Sequence, residues 1–238
     1  MKRSIKSFVL SAIVLFAVSQ AQAEMIRWDG TGSPSAVGYR GPNTNSPNGT
    51  GFSYDTPVAG FMHQAPRTDG YDSFDYTNET GDPIPLTRSN GWLVEFGIEV
   101  LSTPQEPWGA YVGVGDDDGN VYVSILTDSI SVGTGGVRYP DIYVGPGYHT
   151  YIVRMPPDGT YASIYVDGGS FPIAAYEISN LYPLQGVQFG DGATNVGAAE
   201  AIWDFVHVND TQVPEPSTFA LAAFGLIGLG WFGWRRWK

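Results

Sequence analysis

From Gly91 to Leu101 the chain alternates strictly, with Trp92, Val94, Phe96, Ile98 and Val100 on one parity and Leu93, Glu95, Gly97, Glu99 and Leu101 on the other. Successive side chains of an extended strand point to opposite faces. A period of two with one apolar parity therefore predicts a half-buried antiparallel strand. Two hairpins obey the same rule. Tyr111–Val114 and Val121–Leu126 flank the polar tip Gly115-Asp116-Asp117-Asp118-Gly119-Asn120, and Tyr148–Met155 and Thr160–Asp167 flank Pro156-Pro157-Asp158-Gly159. The Asp-Gly pair tolerates the positive φ that a tight reversal needs. Asp167-Gly168-Gly169 makes the next turn, and Gln185–Gly190 and Ala201–Val208 read as closing strands. No segment ahead of the C-terminal tail carries a helical period. The body of the chain is expected to be all-β.

The preceding stretch, residues 24–90, is rich in turn signals such as Gly41-Pro42, Pro47-Asn48-Gly49 and Gly81-Asp82-Pro83. Short aromatic pieces at Met25–Trp28, Gly51–Tyr54 and Tyr71–Tyr76 are expected as edge or sheet-crossing strands that wrap the first part of one sandwich. Cysteine is absent, which excludes disulfides, thiolate metal sites and cysteine nucleophiles. The 190 residues from Glu24 to Val213 are enough to bury a core without such staples. That span holds six Arg, no Lys and 23 acidic residues, a formal charge of −17. Coulomb repulsion then argues against nucleic acid, or an anionic membrane surface, as a partner.

Both ends differ from this acidic body. Lys2, Arg3 and Lys6 precede an apolar stretch from Phe8 to Val18, and Ala21-Gln22-Ala23 supplies the small-x-small pattern read by signal peptidase. This is the form of a secretory signal peptide cleaved after Ala23. At the other end Val-Pro-Glu-Pro-Ser-Thr (213–218) leads into an uncharged run from Phe219 to Trp234, followed by Arg235-Arg236-Trp237-Lys238. As a helix, Ser217 to Trp234 would rise about 27 Å at about 1.5 Å per residue. A hydrocarbon core is about 30 Å thick, so the run can just span a bilayer. The terminal cations belong on the cytoplasmic side, with Trp231, Trp234 and Trp237 in an aromatic belt. The expected division is a signal peptide (1–23), a β-sandwich ectodomain (24–210), a Pro-Glu-Pro linker (211–218), a transmembrane helix (219–234) and a basic tail (235–238).

Pro214-Glu215-Pro216, an apolar helix and the basic end Arg235, Arg236 and Lys238, in that order, resemble the PEP-CTERM sorting signal of Gram-negative bacteria. The resemblance covers residues 213–238. It implies an exosortase as processing partner, transient anchorage in the inner membrane, and final display at the cell surface or outside it. The competing reading is an ordinary single-pass anchor that holds the protein facing the periplasm.

A second resemblance lies in the body. Tyr148-His149-Thr150-Tyr151-Ile152-Val153 and Asp158-Gly159-Thr160-Tyr161-Ala162-Ser163-Ile164-Tyr165-Val166-Asp167-Gly168 are followed by Val187-Gln188-Phe189-Gly190-Asp191-Gly192 and Trp203-Asp204-Phe205-Val206. This series resembles the concanavalin A-like, laminin-G-like jelly roll over about residues 90–209. It implies two packed antiparallel sheets. It assigns no function, because such sandwiches host lectins, adhesion modules, glycosidases and lyases.

Glu95 and Glu99 share one strand face, but four residues of strand span about 13 Å. A glycosidase needs two carboxylates roughly 5–10 Å apart. The laminarinase-type enzymes of this superfamily carry Glu-x-Asp-x-Glu on one strand, and Gly97 stands here where the central Asp would be. A solvated sheet face is the better reading of the pair. Asp116 and Asp118 on the hairpin tip are hard oxygen ligands that would suit calcium, the one cofactor these residues could hold, with Asp191, Asp204 and Asp210 as more distant contributors. The spacing departs from an EF-hand loop, and a plain hairpin tip is favoured. His63, His149 and His207 show no zinc-site spacing, and His149 is expected to pack or to bond backbone. Gly-x-Ser-x-Gly is absent, so no nucleophile elbow is present. The expected function is that of an exported, exosortase-sorted, non-catalytic surface or matrix protein associated with exopolysaccharide. A carbohydrate-active hydrolase or lyase on the same scaffold is the alternative.

Overall fold

A computed structural model describes residues 25–44, 51–54, 60–65, 72–76, 86–102, 110–134, 137–178, 184–192 and 199–209. The expected signal peptide, including Ala21 and Ala23, and residues 210–238, with the sorting motif, apolar run and basic tail, lie outside the described residues. So does Asp210. Among the described residues no helix is long and apolar enough to cross a membrane.

Among the described residues, sixteen strands pair into two antiparallel sheets of eight. In chain order they are β1 (Met25–Trp28), β2 (Tyr39–Thr44), β3 (Phe52–Tyr54), β4 (Met62–Gln64), β5 (Asp72–Tyr76), β6 (Trp92–Val100), β7 (Tyr111–Gly115) and β8 (Asn120–Ile125). Then come β9 (Ser129–Thr134), β10 (Val137–Arg138), β11 (Ile142–Tyr143), β12 (Tyr148–Met155), β13 (Tyr161–Val166), β14 (Ala174–Glu177), β15 (Gly186–Asp191) and β16 (Ala201–Asn209). The first sheet runs β14-β13-β12-β6-β16-β4-β3, with β1 sharing the far edge of β16 with β4. The second runs β10-β9-β8-β7-β15-β5-β2, with β11 beside β10 along β9. These are the packed antiparallel sheets that the alternation supports, in the jelly-roll sandwich that the resemblance implies. The stretch before Gly91 supplies strands to both sheets, as a wrapping segment must.

The apolar parity of β6 does turn inward. Trp92, Val94, Phe96 and Ile98 join the core, as do Val112 and Val114 of β7, Val121 and Val123 of β8, and Tyr151 and Val153 of β12. Phe189 is a hub of this core: its ring lies 5.9 Å from Trp28, 5.2 Å from Tyr39, 5.5 Å from Phe74 and 5.3 Å from Trp203. Several polar side chains that enter the core are paired, as burial favours. Trp203 Nε1 donates to Gln64 Oε1 at 3.0 Å, and Gln64 Nε2 donates to Ala199 O at 2.9 Å. Tyr39 Oη donates to Val206 O at 3.2 Å, tying the second sheet to the first.

Several strands were not expected from the sequence. Gly41-Pro42 reads as a turn but lies inside β2, where the register shifts between Arg40 and Asn43. The strands β4, β9, β10, β11 and β14 also carry no strong signal, and Pro34–Val37 forms a short 3-10 turn capped by Ser33. The predicted positive φ at the Pro-Pro-Asp-Gly reversal falls on Asp158, at 53°.

Candidate functional site

The outward parity of the second sheet is polar from one side to the other. Strand register aligns Arg138, Gly133, Tyr122, Gly113, Gln188, Asp75 and Arg40 across seven strands. The next row aligns Ser131, Ser124, Tyr111, Gly190 and Ser73. Gly133, Gly113 and Gly190 carry no side chain, so the two rows form a shallow trough crossing the strands, with Leu184 and the Tyr122 ring seated over Gly113.

Parts of that floor are covered although they face away from the core. Ser73, Ser124 and Ser131 are each 1% exposed. A Cβ on Gly113 would come within 2.8 Å of Leu184 Cδ2, and one on Gly192 within 2.9 Å of Tyr111 Cε1, so Leu184 and Gly192 lie over this side. Tyr122, Gln188 and Asp75 are only half-buried and remain accessible. Gln188 Nε2 donates to Asp75 Oδ1 at 2.6 Å and to Ser73 Oγ at 3.2 Å, which holds its amide against β5. Arg138 Nε donates to Ser131 Oγ at 2.6 Å while its Nη2 bonds Asp141 at 3.0 Å. Tyr111 and Tyr122 lie 6.3 Å apart. Burial, with help from the carboxylate of Asp75, pushes the Tyr111 phenol well above its ordinary range, so it stays a protonated hydrogen-bond donor. The groups that remain accessible, the Tyr122 ring, the Gln188 amide and the Asp75 carboxylate, can meet a polyhydroxylated chain, while the serine hydroxyls and Tyr111 lie buried beneath them. Sequence reasoning missed these residues; the available signal was the Ser, Tyr and Gly content of the parity opposite Val112, Val121 and Val132.

The residues singled out from the sequence are placed elsewhere. Asp116 is not a solvated tip. Its two oxygens accept five donors: Arg88 Nη2 at 2.9 Å and Arg88 Nε at 3.1 Å, Trp92 Nε1 at 3.0 Å, and the backbone N–H groups of Asp118 and Gly119, each at 2.9 Å. That occupation leaves little for a calcium ion at Asp116. Burial alone would raise this carboxyl, but the bonds from Arg88 and Trp92 outweigh it and hold the pKa low. Asp118 is exposed, with Oδ2 3.6 Å from Arg88 Nε. Asp204 lies on the outer face of the first sheet, whereas Asp191 ends β15 in the second. Among the described residues no three His, Asp or Glu side chains group to hold a metal.

Glu95 and Glu99 point outward from the first sheet, on the opposite side of the sandwich from the trough, and Glu95 Oε2 sits 3.9 Å from His207 Nδ1. Each histidine has a carboxylate neighbour: His63 Nε2 at 3.0 Å from Glu200, His149 Nδ1 at 2.8 Å from Asp167, and His207 Nε2 at 2.8 Å from Asp29. His149 Nε2 also donates to Gly145 O at 3.0 Å, the backbone role expected of it.

Residues 212–236 match the family model of the PEP-CTERM protein-sorting motif. The motif marks the chain for export, for membrane-anchored transit and for processing by an exosortase. No curated protein matches the sequence. Among solved structures, arcelin-5, a lectin-like defence protein from Phaseolus vulgaris, is similar at a TM-score of 0.48 and 8% identity, over 81% of this chain and 100% of that one. A native glycosidic hydrolase gives 0.47 and 11%, over 80% and 97%. A protein of unknown function from Shewanella oneidensis gives 0.45 and 9%, over 86% and 96%. At such scores and identities these likenesses carry nothing about ligand or activity.

Proposed function

We propose that this is a non-catalytic, surface-sorted protein that associates with exopolysaccharide through the trough on its second sheet. The carrying observation is the cross-strand row of Tyr122, Gln188 and Asp75 above a floor of serine and glycine. Hydrogen-bonding groups of both senses sit there beside the half-buried Tyr122 ring, which is what sugar hydroxyls and apolar C–H faces need. One further feature supports binding without turnover: Glu95 and Glu99 lie on the other face of the sandwich. The test is titration of the full chain, purified in detergent, with polysaccharides of known composition. Tyr122→Ala and Gln188→Ala are expected to weaken binding at least tenfold with the melting temperature little changed. Unaltered affinity in both variants would sink the assignment of the trough.

A further inference from the structure

Gly97 stands at the centre of an outward face that the trough does not use. Its Cα lies opposite Thr150 on β12 and Phe205 on β16, and Tyr148 stands opposite Glu99 one row along. A Cβ at position 97 would collide with Tyr148 Oη, lie 3.0 Å from Tyr148 Cζ, and lie 2.7 Å from Phe205 Cε1. The tyrosine therefore lies down along the sheet, over the space that a side chain would fill, until it meets Phe205. A register shift between Trp203 and Phe205 turns Asp204 outward, and Asp204 Oδ2 accepts the Tyr148 hydroxyl at 2.8 Å. Phe205 in turn stacks on His207, with centroids 4.6 Å apart and planes 28° from parallel. Tyr148 keeps 43% of its surface exposed.

The result is a shelf of rings, Tyr148, Phe205 and His207, pressed flat on the first sheet and pinned by Asp204. Packing does not require it, since the core lies on the other side of these strands. The exposed Tyr148 ring beside the half-buried Phe205, with acceptors at their edge, matches a pyranose, which has an apolar C–H face and a rim of hydroxyls; His207, with a side chain 15% exposed, backs Phe205 from beneath. Charge narrows the ligand. Glu95, Glu99, Asp204 and Asp29 flank the shelf and outnumber Arg27, which stands opposite His207, so a polyuronate or sulfated chain would meet a net like charge.

We propose that this shelf is a second glycan-binding site, selective for pyranose chains without acidic groups. It makes the domain bivalent, with one site on each sheet, so that one molecule can bridge two polymer chains. Two sites on opposite faces of one rigid sandwich convert weak individual contacts into cross-linking avidity. The proposal deepens the glycan-binding reading, yet its failure is separable from that of the trough.

The experiment titrates the full chain in detergent against neutral hexaoses of gluco-, manno- and galacto-configuration and against a uronate hexamer. Tyr148→Ala, Gly97→Ala and Tyr122→Ala are run in parallel. Gly97→Ala lifts the Tyr148 ring while leaving the aromatic residues and the core intact, so it separates loss of the shelf from loss of fold. The expected result is two sites for a neutral hexaose. Tyr148→Ala and Gly97→Ala each remove one site, and Tyr122→Ala removes the other. Wild-type protein is expected to precipitate the corresponding long polymer, and each variant to lose that ability. A single site that vanishes in Tyr122→Ala and is indifferent to Tyr148→Ala overturns the shelf and leaves the trough. A single site lost only in Tyr148→Ala and Gly97→Ala overturns the trough and supports the shelf. Preference for the uronate over every neutral hexaose at the Tyr148-dependent site, or no Tyr148-dependent binding at all, overturns the proposal.

Discussion

Asp116 joins two elements that the sequence separates by a long interval. Its partners Arg88 and Trp92 precede and open β6, while the aspartate itself follows β7. The Arg88 side chain is 13% exposed and that of Asp116 fully buried, so removing either partner strands a charge. Arg88→Ala is expected to cost about 3–5 kcal/mol, the range for breaking a buried pair, read as a lowered denaturation midpoint in urea. The pair also sets an acid limit. A carboxyl whose folded-state pKa is depressed binds fewer protons folded than unfolded, so its contribution is complete at neutral pH. It begins to fall near the ordinary aspartate value of about 3.9 and is lost as pH drops through the folded-state value. The melting temperature of the wild type should therefore fall more steeply below pH 4 than that of Asp116→Asn, which has no such proton to gain. Parallel acid profiles for the two would contradict this. That Asp116 is a latch and not a tip could not be read from the run of three aspartates, because its strongest partner, Arg88, lies in a different part of the chain.

At the scale of elements, strands with a full period-two pattern were legible and weakly patterned ones were not. Trp92–Val100 and Tyr148–Met155 show in the sequence because each buries one face against the other sheet. β2 was hidden by Gly41-Pro42, whose turn chemistry is accommodated in a register shift. The trough was illegible for a further reason. Its residues come from β5, β7, β8 and β15, and the neighbours of β15 are β7 and β5, far from it in sequence. Only non-local pairing brings Gln188 beside Asp75. The same pairing gives Phe189 its ring of aromatic neighbours. Phe189→Ala is expected to cost about 3–5 kcal/mol, measured by chemical denaturation. A loss below about 1 kcal/mol would mean that the Trp28, Phe74 and Trp203 rings collapse into the space, against the packing described here.

For the whole molecule, the sorting motif and the sandwich were both legible, the first from three ordered features and the second from a family resemblance that the alternation supports. The two faces proposed to bind glycan were not. Mature protein recovered from the surface or medium is expected to end near Pro214–Pro216, without the Phe219–Lys238 segment, as intact mass spectrometry would show. Recovery of only full-length protein in the inner membrane, from a host with a working exosortase, would favour a simple anchor. The body should also fold independently of the tail. Residues 24–210 produced alone are expected to give β-dominated circular dichroism and one cooperative melt. That melt should be indifferent to calcium and to chelator, because the oxygens of Asp116 are already occupied. A ligand that binds only the folded state at a hundredfold excess over its Kd would stabilise by about 2.7 kcal/mol, so a clear upward shift with calcium would contradict that reading.

The most direct measurement of the central claim exposes the wild-type chain to a panel of polysaccharides and scores binding and chain cleavage in the same samples. Saturable binding to at least one polymer is predicted, with neither new reducing ends nor unsaturated products after prolonged incubation. A positioned catalytic acid or base is worth about 10²–10⁴-fold in rate, so an enzyme would declare itself against the uncatalysed background. Cleavage that Tyr111→Phe, Glu95→Gln or Glu99→Gln abolishes would contradict the account and make the protein a hydrolase or lyase.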